Sequence, residues 1–219
     1  ADSGVPIEFL SLHGYGDDAA WHRDRLFGAA ATRDAADPRY ADTELIYAEW
    51  GLDLGHIGDA EVHHAAWAAA LQAATLLHAA QAGYAQTHRA LFFDVWGVVP
   101  VGIVTGDHQR TLTHAAYRAY AELAALPDMH ALSASPEPGP DEELRYVGLA
   151  SSDGPSLRAM VVQLGGADDT VALGWTGERA WTVSLAGTEG LTEIASGSGE
   201  RAVFALPADG VALLRTASP

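Results

Sequence analysis

The chain has 219 residues, no cysteine and a formal net charge of -17, and its twelve basic residues are all arginine. That acidic balance argues against DNA, RNA or an anionic membrane as partner. The missing cysteines exclude disulfides, thiolate nucleophiles and cysteine-based zinc sites.

The apolar share of 48% is ample for a packed core, and no apolar run is long enough to span a bilayer. The length fits one large domain or two small ones. There is no signal peptide, and the chain begins at Ala1 rather than Met, so its start reads as truncated or processed. The composition suits a soluble protein and does not separate a cytoplasmic from a secreted one.

Pro6 to Leu12 reads as a strand with Ile7, Phe9 and Leu10 as its apolar body, running into a tight turn at His13-Gly14-Tyr15-Gly16. A helix fits from Asp18 to Arg33, capped by Asp17 or Asp18, with Trp21, Leu26 and Ala29 on its inner face. Glu44 to Glu49 is a second, buried strand, closed by Trp50 and Gly51. The loop after it carries Asp53 and His56. Asp59 then caps an alanine-rich helix predicted to run to Ala82, where Gly83 ends it. Arg89 to Gly97 is the third strand, and a last helix covers Thr111 to Leu126, with Ala116, Tyr120 and Leu123 inward. Strand-helix alternation of this kind implies parallel strands covered by helices.

The pattern changes after that helix. Ser133 to Asp141 is a proline-rich connector. Beyond it lie six short strands: 145–150, 157–163, 170–175, 181–185, 202–206 and 211–215, separated by turns rich in Gly and Asp. That spacing predicts an antiparallel sandwich.

The strand ends carry the chemistry. His13 and Tyr15 close the first strand, Glu49 and Trp50 the second, Trp96 the third. Parallel strands put those ends side by side. One carboxylate, one imidazole, one phenol and two indoles suit a sugar: aromatic faces pack on the ring, polar edges bond its hydroxyls, and a carboxylate reacts at the anomeric carbon. No cofactor or metal is required.

Ile7-Glu8-Phe9-Leu10-Ser11-Leu12-His13-Gly14-Tyr15, the Ala48-Glu49-Trp50 strand end and Phe92-Phe93-Asp94-Val95-Trp96 together resemble glycoside hydrolase family 39, which includes β-xylosidases. The resemblance implies an α/β fold: the C-terminal part of a TIM (β/α)8 barrel, strands six to eight, over residues 1–132. A connector at 133–142 and an all-β sandwich at 143–219 follow. It implies a retaining glycosidase with Glu49 as nucleophile and His13, Tyr15, Trp50 and Trp96 around the sugar. Two positions depart from the family pattern: Ala48 stands where Thr or Ser is usual, and Gln109-Arg110-Thr111 where Lys-Pro is often seen. The family's general acid/base, a glutamate after asparagine on strand four, has no counterpart, since the chain contains no asparagine. A full barrel takes about 250 residues. The resemblance therefore implies, besides a carbohydrate substrate, an N-terminal portion of the same barrel, either as a separate chain or as a missing segment.

Two other readings are weaker. Leu12-His13-Gly14-Tyr15-Gly16 also resembles the oxyanion loop of α/β-hydrolases, but no Gly-x-Ser-x-Gly elbow occurs. His63 and His64 are adjacent on a helix, so they point to different sides and lack the spacing of a metal pair. The rival from another class is a carbohydrate-binding protein on a degenerate barrel, which keeps the aromatic platform and dispenses with the acid.

Overall fold

The computed structural model describes residues 7–36, 38–90, 105, 109–133 and 145–217. It contains two sheets with a helical layer between them. Strands β1 (Phe9–Tyr15), β2 (Glu44–Gly51) and β3 (Gln86–Arg89) form a parallel sheet in that order. Helix α1 (Ala19–Asp34) follows β1, and α2 (Ala60–His64) and α3 (Ala66–Gln81) follow β2. β3 ends at the residue where the sequence places the start of the third strand; that expected strand from Leu91 on, including Trp96, lies outside the described residues.

Asp18 caps α1, its side chain accepting from the Ala20 amide at 2.8 Å. The buried face is His22, Leu26 and Ala30, at strict four-residue spacing. The expected Trp21 and Ala29 flank that stripe instead, and Trp21 stays exposed. The stripe packs on Leu45, Tyr47 and Trp50 of β2 and on Leu76 and Ala79 of α3.

One helix from Asp59 to Ala82 is expected, and two are found. Asp59 caps α2, but Ala65 is extended, with ψ 153°, and restarts the chain as α3. Every residue of α3 from Ala68 to Ala79 is buried. A helix buried on all sides belongs between two layers. One side of α3 meets the parallel sheet, while Ala70, Ala73, Ala74 and Leu77 meet the antiparallel one. Alanine permits this because the backbone can approach both layers closely.

α4 (Leu112–Leu123) starts at Thr111, whose hydroxyl accepts from the His114 amide at 3.3 Å. Its Ala115, Ala116, Ala119 and Leu123 complete the core against β5 (Tyr146–Ser152), β6 (Leu157–Gln163) and β9 (Val211–Ala217). Arg215 ties the layers together, bonding Glu122 at 2.6 Å and Ser184 at 2.9 Å. A cation at the end of α4 also complements the helix dipole.

The antiparallel strands differ from expectation in two ways. β4 (Asp128–Ala131) pairs with β5, so the sheet starts ahead of the proline-rich segment and the expected boundary near 132 falls behind its first strand. The strands also form one six-stranded ladder, β4-β5-β6-β9-β7-β8, rather than two separate sheets. The predicted segments 170–175 and 181–185 are both parts of β7 (Asp169–Gly187), which pairs with β8 (Gly190–Leu206). The expected turn at Thr176-Gly177-Glu178 is absorbed as a register shift between Gly174 and Arg179. Beyond that shift, Ala202, Phe204 and Leu206 join Ala159, Val161, Ala212 and Leu214 in one core, so the hairpin's far end covers the sheet face opposite the helices.

β1 has no partner on its outer side among the described residues. Ile7, just before the strand, and Phe9 and Leu10 at its start are exposed, Phe9 by 54%. No helix among the described residues is long and apolar enough to cross a membrane.

Three histidines buried among the described residues make stability fall on the acid side. Burial lowers the pKa of His22, His63 and His78 below the ordinary 6.5, so they stay neutral when folded. Below about pH 6.5 the unfolded chain takes up protons that the folded chain refuses, and stability falls as pH drops. Each such group contributes up to about 1.4 kcal/mol per pH unit. Urea melts should therefore show a falling midpoint between pH 7 and pH 5. An unchanged midpoint across that range would contradict this packing.

Candidate active site

β2 carries one residue more than its neighbours just before its tip. Leu12 pairs with Tyr47, but the next residue of β1, His13, pairs with Glu49, so Ala48 is extra. On the other side Tyr47 pairs with Thr87 and Trp50 with Arg89: three steps against two. An inserted residue re-aims the side chains that follow it. Leu45 and Tyr47 point to the helices, and strict alternation would send Glu49 the same way. The insertion reverses the phase. Glu49 emerges with its side chain 48% exposed, and Trp50 turns back into the core.

Trp50 is expected near the sugar, and the structure places it elsewhere. It is 1% exposed and lies near-parallel between Tyr47 at 5.9 Å and Tyr117 at 6.3 Å. It offers no face to a ligand. Trp96 lies outside the described residues.

His13, Tyr15 and Glu49 are brought together. The phenol of Tyr15 donates to Glu49 Oε1. His13 Nδ1 stands 3.8 Å from Glu49 Oε2, too far for a hydrogen bond. The Tyr15 pKa is pushed up to about 12, first by burial and then by the hydrogen bond and negative charge of Glu49. Tyr15 is thus a protonated donor at any working pH.

The loops beyond the tips are tied to one another. The Gly16 amide donates to the Gly51 carbonyl at 3.2 Å. Asp17 accepts from the Asp53 amide at 2.9 Å and pairs with His56 Nε2 at 2.8 Å. Around them opens a cleft of about 470 Å³, lined by Tyr15 and Glu49 and also by Asp53, Leu54, Ile57, His63 and Arg89.

The last five residues were not singled out as site residues from sequence. Arg89 ends β3 and donates to Gln72 Oε1 and, at 3.2 Å, to the Ala90 carbonyl. Gln86-Thr87-His88-Arg89 is four polar residues in a row, and only Thr87 favours a strand, so the sequence gives little sign of one there. His63 is buried, and its Nε2 donates to the His56 carbonyl at 3.1 Å.

No family model and no curated protein matches the sequence. Solved structures do match in fold. A glucosidase from Croceicoccus marinus aligns with TM-score 0.71 and 20% identity over 100% of this chain and 55% of its own. A monomeric beta-xylosidase from Caulobacter crescentus CB15 gives 0.70 and 13%, over 99% and 57%. The GH39 enzyme from Xanthomonas axonopodis pv. citri gives 0.64 and 14%, over 100% and 56%. The chain thus shares the fold of part of a glycoside hydrolase: an α/β portion followed by an antiparallel sheet. It spans a little over half the length of these structures.

The short contact between phenol and carboxylate can be tested by titration. With Tyr15 labelled at its phenolic carbon, NMR should show ionisation near pH 12. Glu49→Gln removes the negative charge and the charged acceptor but leaves the burial, so the midpoint should fall part-way toward 10. An unmoved midpoint would mean that the two groups do not interact.

Proposed function

We propose that this chain is the C-terminal portion of a retaining glycoside hydrolase acting on β-xylosides or similar glycosides. In this reading β1 to β3 are strands six to eight of a (β/α)8 barrel, and the six-stranded sheet is its accessory sandwich. One observation carries the reading: an exposed carboxylate at a parallel strand's C-terminal tip, held by a neighbouring tyrosine in an open cleft. Active sites of such barrels occupy that end.

Glu49 attacks the anomeric carbon, the leaving oxygen departs, and a covalent glycosyl-enzyme forms. Water then releases the sugar with retained configuration. A retaining pair needs a second carboxyl group about 5–5.5 Å away, too close for a water between the two. That group first gives its proton to the leaving oxygen and later takes one from the water. The negative charge on Glu49 favours its protonated form. The hydrogen bond from Tyr15 keeps Glu49 aimed, and His13 faces a sugar hydroxyl. Trp96 is assigned the floor of the site by resemblance alone. Trp50 is not part of the proposed site, because its ring is buried.

The acid/base is assigned to an N-terminal portion of the same barrel. Three parallel strands cannot close a barrel. The edge of β1 that has no partner among the described residues is where the preceding strand would pair.

The role of Glu49 has a chemical signature. In the complete protein, Glu49→Ala should abolish turnover of an aryl β-xyloside and leave the melting transition in place. Added azide should restore turnover, with a glycosyl azide of inverted configuration as product. Full activity in the alanine variant without azide would remove Glu49 from this role.

A further inference from the structure

His22 lies on α1, one layer behind the site, and touches neither substrate space nor Glu49. It is 1% exposed, and both of its ring nitrogens are used. Nε2 lies 2.9 Å from the Gly16 carbonyl, which can only accept, so Nε2 carries the proton. Burial keeps the ring neutral. Nδ1 is therefore an acceptor, and the Tyr47 hydroxyl donates to it at 3.0 Å.

That hydroxyl sits directly beneath Gly14: a Cβ on Gly14 would stand 2.0 Å from it, which no side chain permits. Gly14 and Gly16 flank Tyr15. One rests on the Tyr47 hydroxyl, and the other is bonded by His22. One turn further along α1, Arg25 Nε donates to the His13 carbonyl at 3.0 Å. The backbone on both sides of Tyr15 is thus fixed from below by a buried, fully satisfied pair. Such networks define one geometry when complete and lose it when a member is removed.

We propose that His22 is a positioning residue for the Tyr15–Glu49 pair, acting through Tyr47 under Gly14 and through the Gly16 carbonyl. It sets the direction of the Tyr15 phenol and through it that of the Glu49 carboxylate. The catalytic part of this inference rests on Glu49 as nucleophile; the positioning part rests on the hydrogen bonds alone.

The test uses the complete protein and two readouts. The first is the Tyr15 ionisation midpoint by NMR, near 12 in the parent. The second is turnover of an aryl β-xyloside. His22→Leu keeps the bulk and removes both hydrogen bonds. The Tyr15 midpoint should fall toward 10. The kcat should drop roughly tenfold to a hundredfold, the scale of a misplaced reacting group, with KM little changed. His22→Gln offers one donor and one acceptor at similar reach and should return both readouts to within about threefold or a few tenths of a pH unit. If His22→Leu does not fold, Tyr47→Phe removes one bond at constant volume and should shift both readouts in the same direction by less.

A folded His22→Leu protein with Tyr15 ionising as in the parent overturns the proposal. So does a Gln variant no better than Leu. A parent protein that turns over no glycoside would sink the proposed function instead, and the Tyr15 midpoint would still decide the role of His22.

Discussion

The structure turns on the extra residue in β2. Alternation along a strand is strict, so a single inserted residue exchanges the two faces for everything after it. Before Ala48 the strand sends its bulk, Leu45 and Tyr47, into the helices. After it, Glu49 is open and Trp50 is buried. Both neighbouring strands register the same insertion, which makes it a property of β2 itself. Without it the carboxylate would be driven into an apolar layer where nothing pairs with it. That would cost several kcal/mol, or the group's charge. The insertion also brings Glu49 opposite His13, and the next-but-one residue, Tyr15, reaches the carboxylate.

An aimed side chain is useful only on a stiff support. α3 gives that support by being buried from Ala68 to Ala79, with one sheet on either side. α4 is fixed at its C-terminal end by Arg215 and by the Ser151 hydroxyl, which donates to the Leu123 carbonyl at 2.5 Å. The antiparallel sheet is thereby continuous with the packing behind the strand tips. It acts as a wall for the helical layer, and through that layer it bears on Tyr47 and His22.

Much of this was legible in the sequence, and the misses lie where local pattern does not decide. The apolar runs of β1 and β2, the Asp18 cap and the grouping of His13, Tyr15 and Glu49 follow from local pattern and turn chemistry. Trp50 was misplaced because an insertion within a strand leaves no mark on composition; Ala48-Glu49-Trp50 looks like an ordinary strand end. The break at Ala65 has neither Gly nor Pro to announce it. Gly177 suggests a turn, yet its positive φ serves an irregularity inside one long strand. For Trp50 and Gly177, cross-strand pairing decides what the local sequence does not show. His22 and Arg89 were hidden for a simpler reason. Their roles depend on what lies across from them, and spacing along the chain does not carry that information.

In the proposed function Glu49 forms a bond to the sugar. The direct measurement is covalent trapping in the complete protein with a 2-fluoro glycoside, followed by peptide mass spectrometry. The 2-fluorine slows release of the glycosyl-enzyme more than its formation, so the intermediate accumulates on the nucleophile. The account predicts one added sugar per active site, on the peptide containing Tyr47-Ala48-Glu49-Trp50, with the fragment ions placing it on Glu49. A label on any other carboxylate, or a product of inverted configuration from the unmodified enzyme, would contradict it.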